Sequence, residues 1–129
     1  MPKQILIVDD NPIIRRLVRR CVESEMGWHV CGEAENGAMA LGMVTDLNPD
    51  LVILDFVMPV MDGLEAARRI TSMAPNTPVV MFTMQYSQQL LSEARAAGVR
   101  DVVSKSDAGT AHLVNSMRSL LNQPSARMA

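Results

Sequence analysis

A chain of 129 residues has the length of one domain, and a globule of that size buries roughly two thirds of its unfolded surface without needing a disulfide or structural metal. Twelve basic against fourteen acidic residues leave a net charge of -2, which excludes a bulk electrostatic attraction to nucleic acid or to an anionic membrane. Cys21 and Cys31 form no CxxC pair and have no histidine cluster, so neither a zinc site nor a redox motif is spelled out; both read as reduced thiols in or near the core.

In chain order, the apolar run Ile5-Leu6-Ile7-Val8 reads as a buried strand that stops at Asp9-Asp10. Asn11 then offers an N-cap and Pro12 the first position of a helix, with Ile14, Leu17, Val18, Cys21 and Val22 on its apolar face and Gly27 as its stop. Arg15, Arg16, Arg19 and Arg20 flank that face and read as a solvated surface, with a docking patch as the functional alternative. A second strand covers Trp28 to Ala34. The next helix begins at Asn36-Gly37, buries Ala40, Leu41, Val44 and Leu47, and stops at Asn48-Pro49-Asp50.

The third run, Leu51-Val52-Ile53-Leu54, is wholly apolar and ends in Asp55, followed by the loop Phe56-Val57-Met58-Pro59-Val60-Met61-Asp62-Gly63. The helix after it buries Leu64, Ala67 and Ile70 and cannot continue through Pro75-Asn76-Thr77-Pro78. The fourth run, Val79 to Phe82, ends in Thr83, and a helix over about Ser87 to Ala97 stops at Gly98. Val102-Val103 is the fifth strand, followed by Ser104-Lys105. A last helix spans about Gly109 to Asn122, with Leu113, Met117 and Leu120 or Leu121 inward. Residues 1–122 are thus expected to form one domain and 123–129 a short polar tail. No apolar run approaches the roughly 20 residues of a membrane span, and a cytoplasmic location is expected.

Five alternations of strand and helix predict an α/β fold: one doubly wound, five-stranded parallel sheet of order 2-1-3-4-5, flavodoxin-like (βα)5. Ligands of such sheets sit beyond the carboxyl ends of the strands, at the reversal between strands one and three. Asp9, Asp10 and Asp55 would face one another there. Their mutual repulsion calls for a hard divalent cation, and oxygen donors without histidine or cysteine favour magnesium. Thr83 and Lys105 complete a phosphoryl-transfer set, with a carboxylate nucleophile and a hydroxyl and an ammonium for the phosphoryl oxygens.

Through Val8-Asp9-Asp10-Asn11-Pro12, Asp55 with Met58-Pro59 and Met61-Asp62-Gly63, Thr83 and Lys105, residues 3 to 122 resemble a response regulator receiver domain of the chemotaxis-receiver type. The resemblance implies that Asp55 accepts a phosphoryl group from a sensor histidine kinase or a phosphotransfer protein. Asp10, Asp55 and the carbonyl of Val57 would hold Mg2+, with Asp9 helping directly or through water, and Thr83 and Lys105 would bind phosphoryl oxygens. The domain would catalyse its own phosphorylation and hydrolysis rather than turn over a substrate. A homodimer through helix four, strand five and helix five is implied as well, at a face that includes Gln88, Gln89, Arg95, His112 and Arg118. Direct nucleic-acid binding and membrane contact are not expected, although the chain could be the front half of a DNA-binding regulator.

Three positions depart from the family's pattern. Val102 stands where an aromatic residue usually reports phosphorylation, Met84 replaces the small residue after the threonine, and Ser106 follows the lysine in place of proline. Met84 is expected to narrow access to the site, and the Lys105-Ser106 bond to be trans. Two rivals remain: a phosphohydrolase forming an aspartyl-phosphate, whose usual second acid is replaced here by Val57, and a pseudo-receiver that keeps the fold as an interaction module.

Overall fold

The computed structural model describes residues 1–106 and 108–122; the tail expected over 123–129 lies outside them. Among the described residues ten elements alternate: β1 (Lys3–Val8), α1 (Pro12–Glu23), β2 (Trp28–Ala34), α2 (Gly37–Leu47), β3 (Leu51–Leu54), α3 (Gly63–Met73), β4 (Val79–Thr83), α4 (Gln88–Ala96), β5 (Asp101–Ser104) and α5 (Gly109–Leu121). The strands are all parallel and lie in the order β2-β1-β3-β4-β5. This is the flavodoxin-like arrangement the alternation predicts, with its reversal between β1 and β3.

Alternate strand residues feed the two faces of the sheet, as a side-chain period of two requires. Ile5, Ile7, Leu51, Ile53, Val80 and Phe82 pack against Val18 and Val22 of α1 and Leu113 and Met117 of α5. Leu6, Val8, Val52, Leu54, Val79 and Met81 pack against α2, α3 and α4 through Ala40, Val44, Ala67, Ile70, Leu90 and Ala94. Both faces are therefore dry, which explains why the central strands are continuous apolar runs rather than alternating ones.

Four helices start where a side chain can cap them. Asn11 accepts from the amides of Ile13 and Ile14, Asn36 from Met39, Asp62 from Glu65 and Ser87 from Leu90. Two expected core residues are not buried. Leu17 is exposed because it sits about 100° around α1 from Val18, off the stripe that faces the sheet, and Leu47 in the last turn of α2 is also exposed. Gly27 does not end α1, which closes at Ser24; it shapes the turn into β2 with φ +85°. Cys21 and Cys31 are free and partly buried.

The edge strand β2 joins the sheet irregularly. Its register with β1 shifts between Ile5 and Leu6, so Val30 pairs with Ile5 but Gly32 pairs with Leu6, and Cys31 is left over as a bulge. Its thiol donates to the carbonyl of Ile5 at 3.4 Å. Beyond the bulge every β2 side chain changes face, which turns Glu33, opposite Ile7, toward α1. Trp28 opens β2 beside Lys3, at the end of the sheet remote from the acids.

Candidate functional site

The sheet delivers its polar residues to one rim by simple continuation of the strand ladders. The amide of Asp9 donates to the carbonyl of Ala34, that of Asp55 to Val8, and that of Lys105 to Thr83, at 2.9 to 3.0 Å. Since Val8 pairs with Leu54, Asp9 and Asp55 come out of adjacent strands at the same level. One carboxylate oxygen from each of Asp9, Asp10 and Asp55 lies within 4.8 Å of the others. Asp9 and Asp55 are buried and Asp10 is exposed.

Lys105 crosses from the far side of the sheet to meet the acids. Its Nζ donates to Asp9 Oδ2 at 2.6 Å and to Asp55 Oδ2 at 3.2 Å, and its side chain is only 7% exposed. The same ammonium lies 5.9 Å from the centre of the Phe82 ring. Asp55 Oδ1 accepts from the amide of Phe56 at 2.7 Å, and Asp9 Oδ1 from the amide of Asn11 at 2.9 Å. Burial first, and then the charge of Asp9, push the Asp55 carboxyl above its ordinary value, against the pull of Lys105 and the Phe56 amide. Thr83 is fully buried, and its hydroxyl oxygen accepts from the amide of Gln85 at 3.0 Å, which leaves its proton free to donate.

A cleft of about 220 Å³ is lined by Asp9, Asp10, Asn11, Asp55, Val57, Thr83, Met84, Gln85 and Lys105. All six residues singled out as catalytic or metal-binding from the sequence thus share one cavity. The all-oxygen donor set, an exposed carboxylate beside two buried ones, is compatible with a divalent cation of the hard class. Met84 stands at the mouth of the cleft, 68% exposed. Val57, two residues beyond Asp55 where a second acid would stand in a hydrolase, is also exposed.

The loop after Asp55 holds the floor of the site. Gly63 donates to the carbonyl of Phe56 at 2.7 Å, and a Cβ on it would collide with the carbonyl oxygen of Asp55. Only glycine permits the first turn of α3 to rest on the Asp55 backbone. Just before it, Met61 donates to Pro59 across a three-residue γ-turn that puts Val60 at φ +71°.

Chains with this fold carry unrelated functions, so relatives decide more than architecture does. A family model for the response regulator receiver domain matches residues 5–118. The chain belongs to that family. The receiver is 52% identical over 83 residues to a protein-glutamate methylesterase/protein-glutamine glutaminase of Hahella chejuensis, covering 64% of this chain and 23% of that protein. It is 36% identical over 105 residues to the chemotaxis protein CheY of Halobacterium salinarum, covering 81% and 86% of the two. The crystal structure of a two-component response regulator of the LuxR family from Aurantimonas superposes with a TM-score of 0.89 at 30% identity, covering 99% of this chain and 93% of that one. The receiver therefore spans about a quarter of the length of the methylesterase it matches and most of the length of CheY. It is a phosphoacceptor signalling domain whose acidic cluster stands at the phosphorylation rim.

The receiver differs from its sequence-based picture in two details. Arg15 and Arg19 are ion-paired rather than free: Arg15, largely buried, donates through Nε to Glu33 Oε1 at 3.0 Å, and Arg19, half-exposed, donates through Nε to Glu33 Oε2 at 2.7 Å, while Arg16 and Arg20 are exposed. Burial acts to raise the Glu33 carboxyl, but the guanidiniums of Arg19 and Arg15 leave it below its ordinary value. Arg118 pairs with Glu25 at 2.6 Å and so faces the end of α1 rather than α4. Sequence reasoning passed over Glu33 because nothing in Trp28 to Ala34 announces the bulge. Val102 is buried among the residues under α4, as a valine at that position should be, and the Lys105-Ser106 bond is trans.

Proposed function

We propose that Asp55 is the residue that takes up the phosphoryl group. Asp10, Asp55 and the carbonyl of Val57 hold Mg2+ with the help of Asp9, and Thr83 and Lys105 bind the phosphoryl oxygens. The observation that carries this reading is the single cleft into which the ends of four strands, β1, β3, β4 and β5, bring these six residues. A carboxylate oxygen of Asp55 attacks the phosphorus of a phosphohistidine on a sensor histidine kinase or phosphotransfer protein; the O–P bond forms as the P–N bond breaks, and the imidazole leaves. Lys105 is already aimed between Asp9 and Asp55 and screens the charge that gathers there. The Thr83 proton, not engaged by Gln85, is free for a phosphoryl oxygen. Magnesium supplies the divalent charge that three carboxylates and a phosphoryl group need in order to share one small cavity.

In this reading residues 1–122 are the receiver and the protein works in the cytoplasm; no helix among the described residues is long and apolar enough to cross a membrane. The signal leaves through the face of α4, β5 and α5, by homodimer formation or by contact with a target such as a transcriptional output module. Gln88, Gln89, Arg95 and His112 are exposed on these elements. Mass measurement after incubation with Mg2+ and acetyl phosphate tests the reading. A gain of one phosphoryl group that is absent in Asp55→Asn is expected, and no gain in the unaltered protein would overturn it.

A further inference from the structure

We infer that Arg15, braced by Glu33, is a positioning residue for the cation site: it holds the peptide between Asp9 and Asp10 so that Asp10 is presented to the metal. This role rests on the proposal that Asp9, Asp10 and Asp55 hold magnesium.

Arg15 lies one turn into α1 and is largely buried. Its guanidinium makes two bonds that point in different directions. Nε donates to Glu33 Oε1 at 3.0 Å, and Nη1 donates to the backbone carbonyl of Asp9 at 2.7 Å. That carbonyl belongs to the same rigid peptide plane as the nitrogen of Asp10. The amide of Asp9 is meanwhile tied to Ala34 at 3.0 Å, and its side chain to Asn11 and Lys105. With both backbone groups of Asp9 bonded, the chain enters Asp10 in one orientation. Asp10 is the exposed acid of the three, and among the described residues no hydrogen bond to its side chain fixes it, so its aim depends on the backbone that carries it.

Glu33 reaches Arg15 only because the bulge at Cys31 reverses the facing of the end of β2. Its second oxygen takes Arg19 at 2.7 Å, so the carboxylate is fixed before it fixes Arg15. A lysine could satisfy the charge of Glu33 but has no planar fork with which to bond carboxylate and carbonyl together.

The sign of the effect separates positioning from simple electrostatics. A guanidinium beside an acidic cluster repels a divalent cation, so if charge alone mattered, removing it would tighten magnesium binding. If Arg15 positions Asp10, removing it loosens binding, as loss of groups that orient metal ligands does.

Calorimetric titration of Mg2+ into the metal-free protein decides between the two. Arg15→Ala is expected to raise the dissociation constant about tenfold, and Arg15→Lys to raise it nearly as much. Labelling by acetyl phosphate should shift to higher half-saturating magnesium in both variants and reach the same rate at saturation, a split that a general loss of stability does not produce. An unchanged or tighter affinity in Arg15→Ala overturns the inference while leaving the magnesium reading intact. Should that variant not fold, Arg15→Lys bears the test by itself, and an affinity equal to that of the unaltered protein overturns the inference. If the unaltered protein binds no Mg2+, the magnesium reading fails and this inference fails with it.

Discussion

The Nζ of Lys105 lies 2.6 Å from Oδ2 of Asp9, closer than its 3.2 Å approach to Asp55. The ammonium is thus held principally by the acid that is not the proposed acceptor, and it leaves Asp55 the weaker of the two bonds. Removing it as Lys105→Met should have two opposed effects. In chelator the fold should lose about 3 kcal/mol, the usual cost of leaving buried charges without their partner. Magnesium should bind several-fold more tightly, since a competing cation is gone. Urea denaturation in chelator checks the first effect and calorimetry the second; a variant as stable as the parent in chelator would show that the pair contributes little.

Asp55 makes metal-free stability depend on pH in a defined direction. Its carboxyl sits above its ordinary value of 3.8 because burial and Asp9 disfavour the charge. Its contribution is therefore fully present below that ordinary value, where the side chain is protonated in both folded and unfolded chains. It is lost as pH rises through the elevated folded value. Asp55→Asn has no charge to bury. In chelator, its melting temperature should exceed that of the parent by a margin that grows across this window and is flat above it, and added Mg2+ should narrow the margin. Melting curves of both proteins from pH 4 to 8 give the comparison, and a margin that shrinks with rising pH would contradict the assignment.

Val60 holds a left-handed conformation, φ +71°, while 81% exposed. A β-branched residue is strained there, and its side chain recovers nothing by burial. Val60→Gly should raise stability by about 1 kcal/mol, the relief of that strain less the greater freedom of glycine in the unfolded chain. The midpoint of a urea transition, with unchanged slope, is the measurement. No gain would mean that the turn stores little strain.

Met84 lines the cleft beside Thr83 and is 68% exposed. Trimming it as Met84→Ala should admit water and shorten the lifetime of the phosphorylated form several-fold. Loss of radiolabel from the isolated phosphoprotein times this, and an unchanged lifetime rules the idea out.

Much of this molecule was legible in its sequence because the decisive signals are local. Asn11 with Pro12, Asn36, Asp62 and Ser87 each mark a helix start through a hydrogen bond within three residues. The candidate site was legible for a related reason: every one of its residues ends a strand, follows directly on one or lies in the loop after it, and a parallel sheet brings such ends to one rim. What the sequence hid is non-local. The role of Glu33 depends on how β2 slips against β1 at Cys31, and Arg118 turns to Glu25, 93 positions away. Pairings of that kind come from packing, which no window of adjacent residues contains.

The placement of Trp28 has a practical consequence. The only indole of the chain opens β2, and the acids stand beyond the far ends of strands six and seven residues long, roughly 20 Å away. Its fluorescence should accordingly be silent during magnesium titration or acyl phosphate treatment and respond only when the sheet comes apart. Occupancy of the cleft and integrity of the fold can thus be followed on one sample through separate spectroscopic channels.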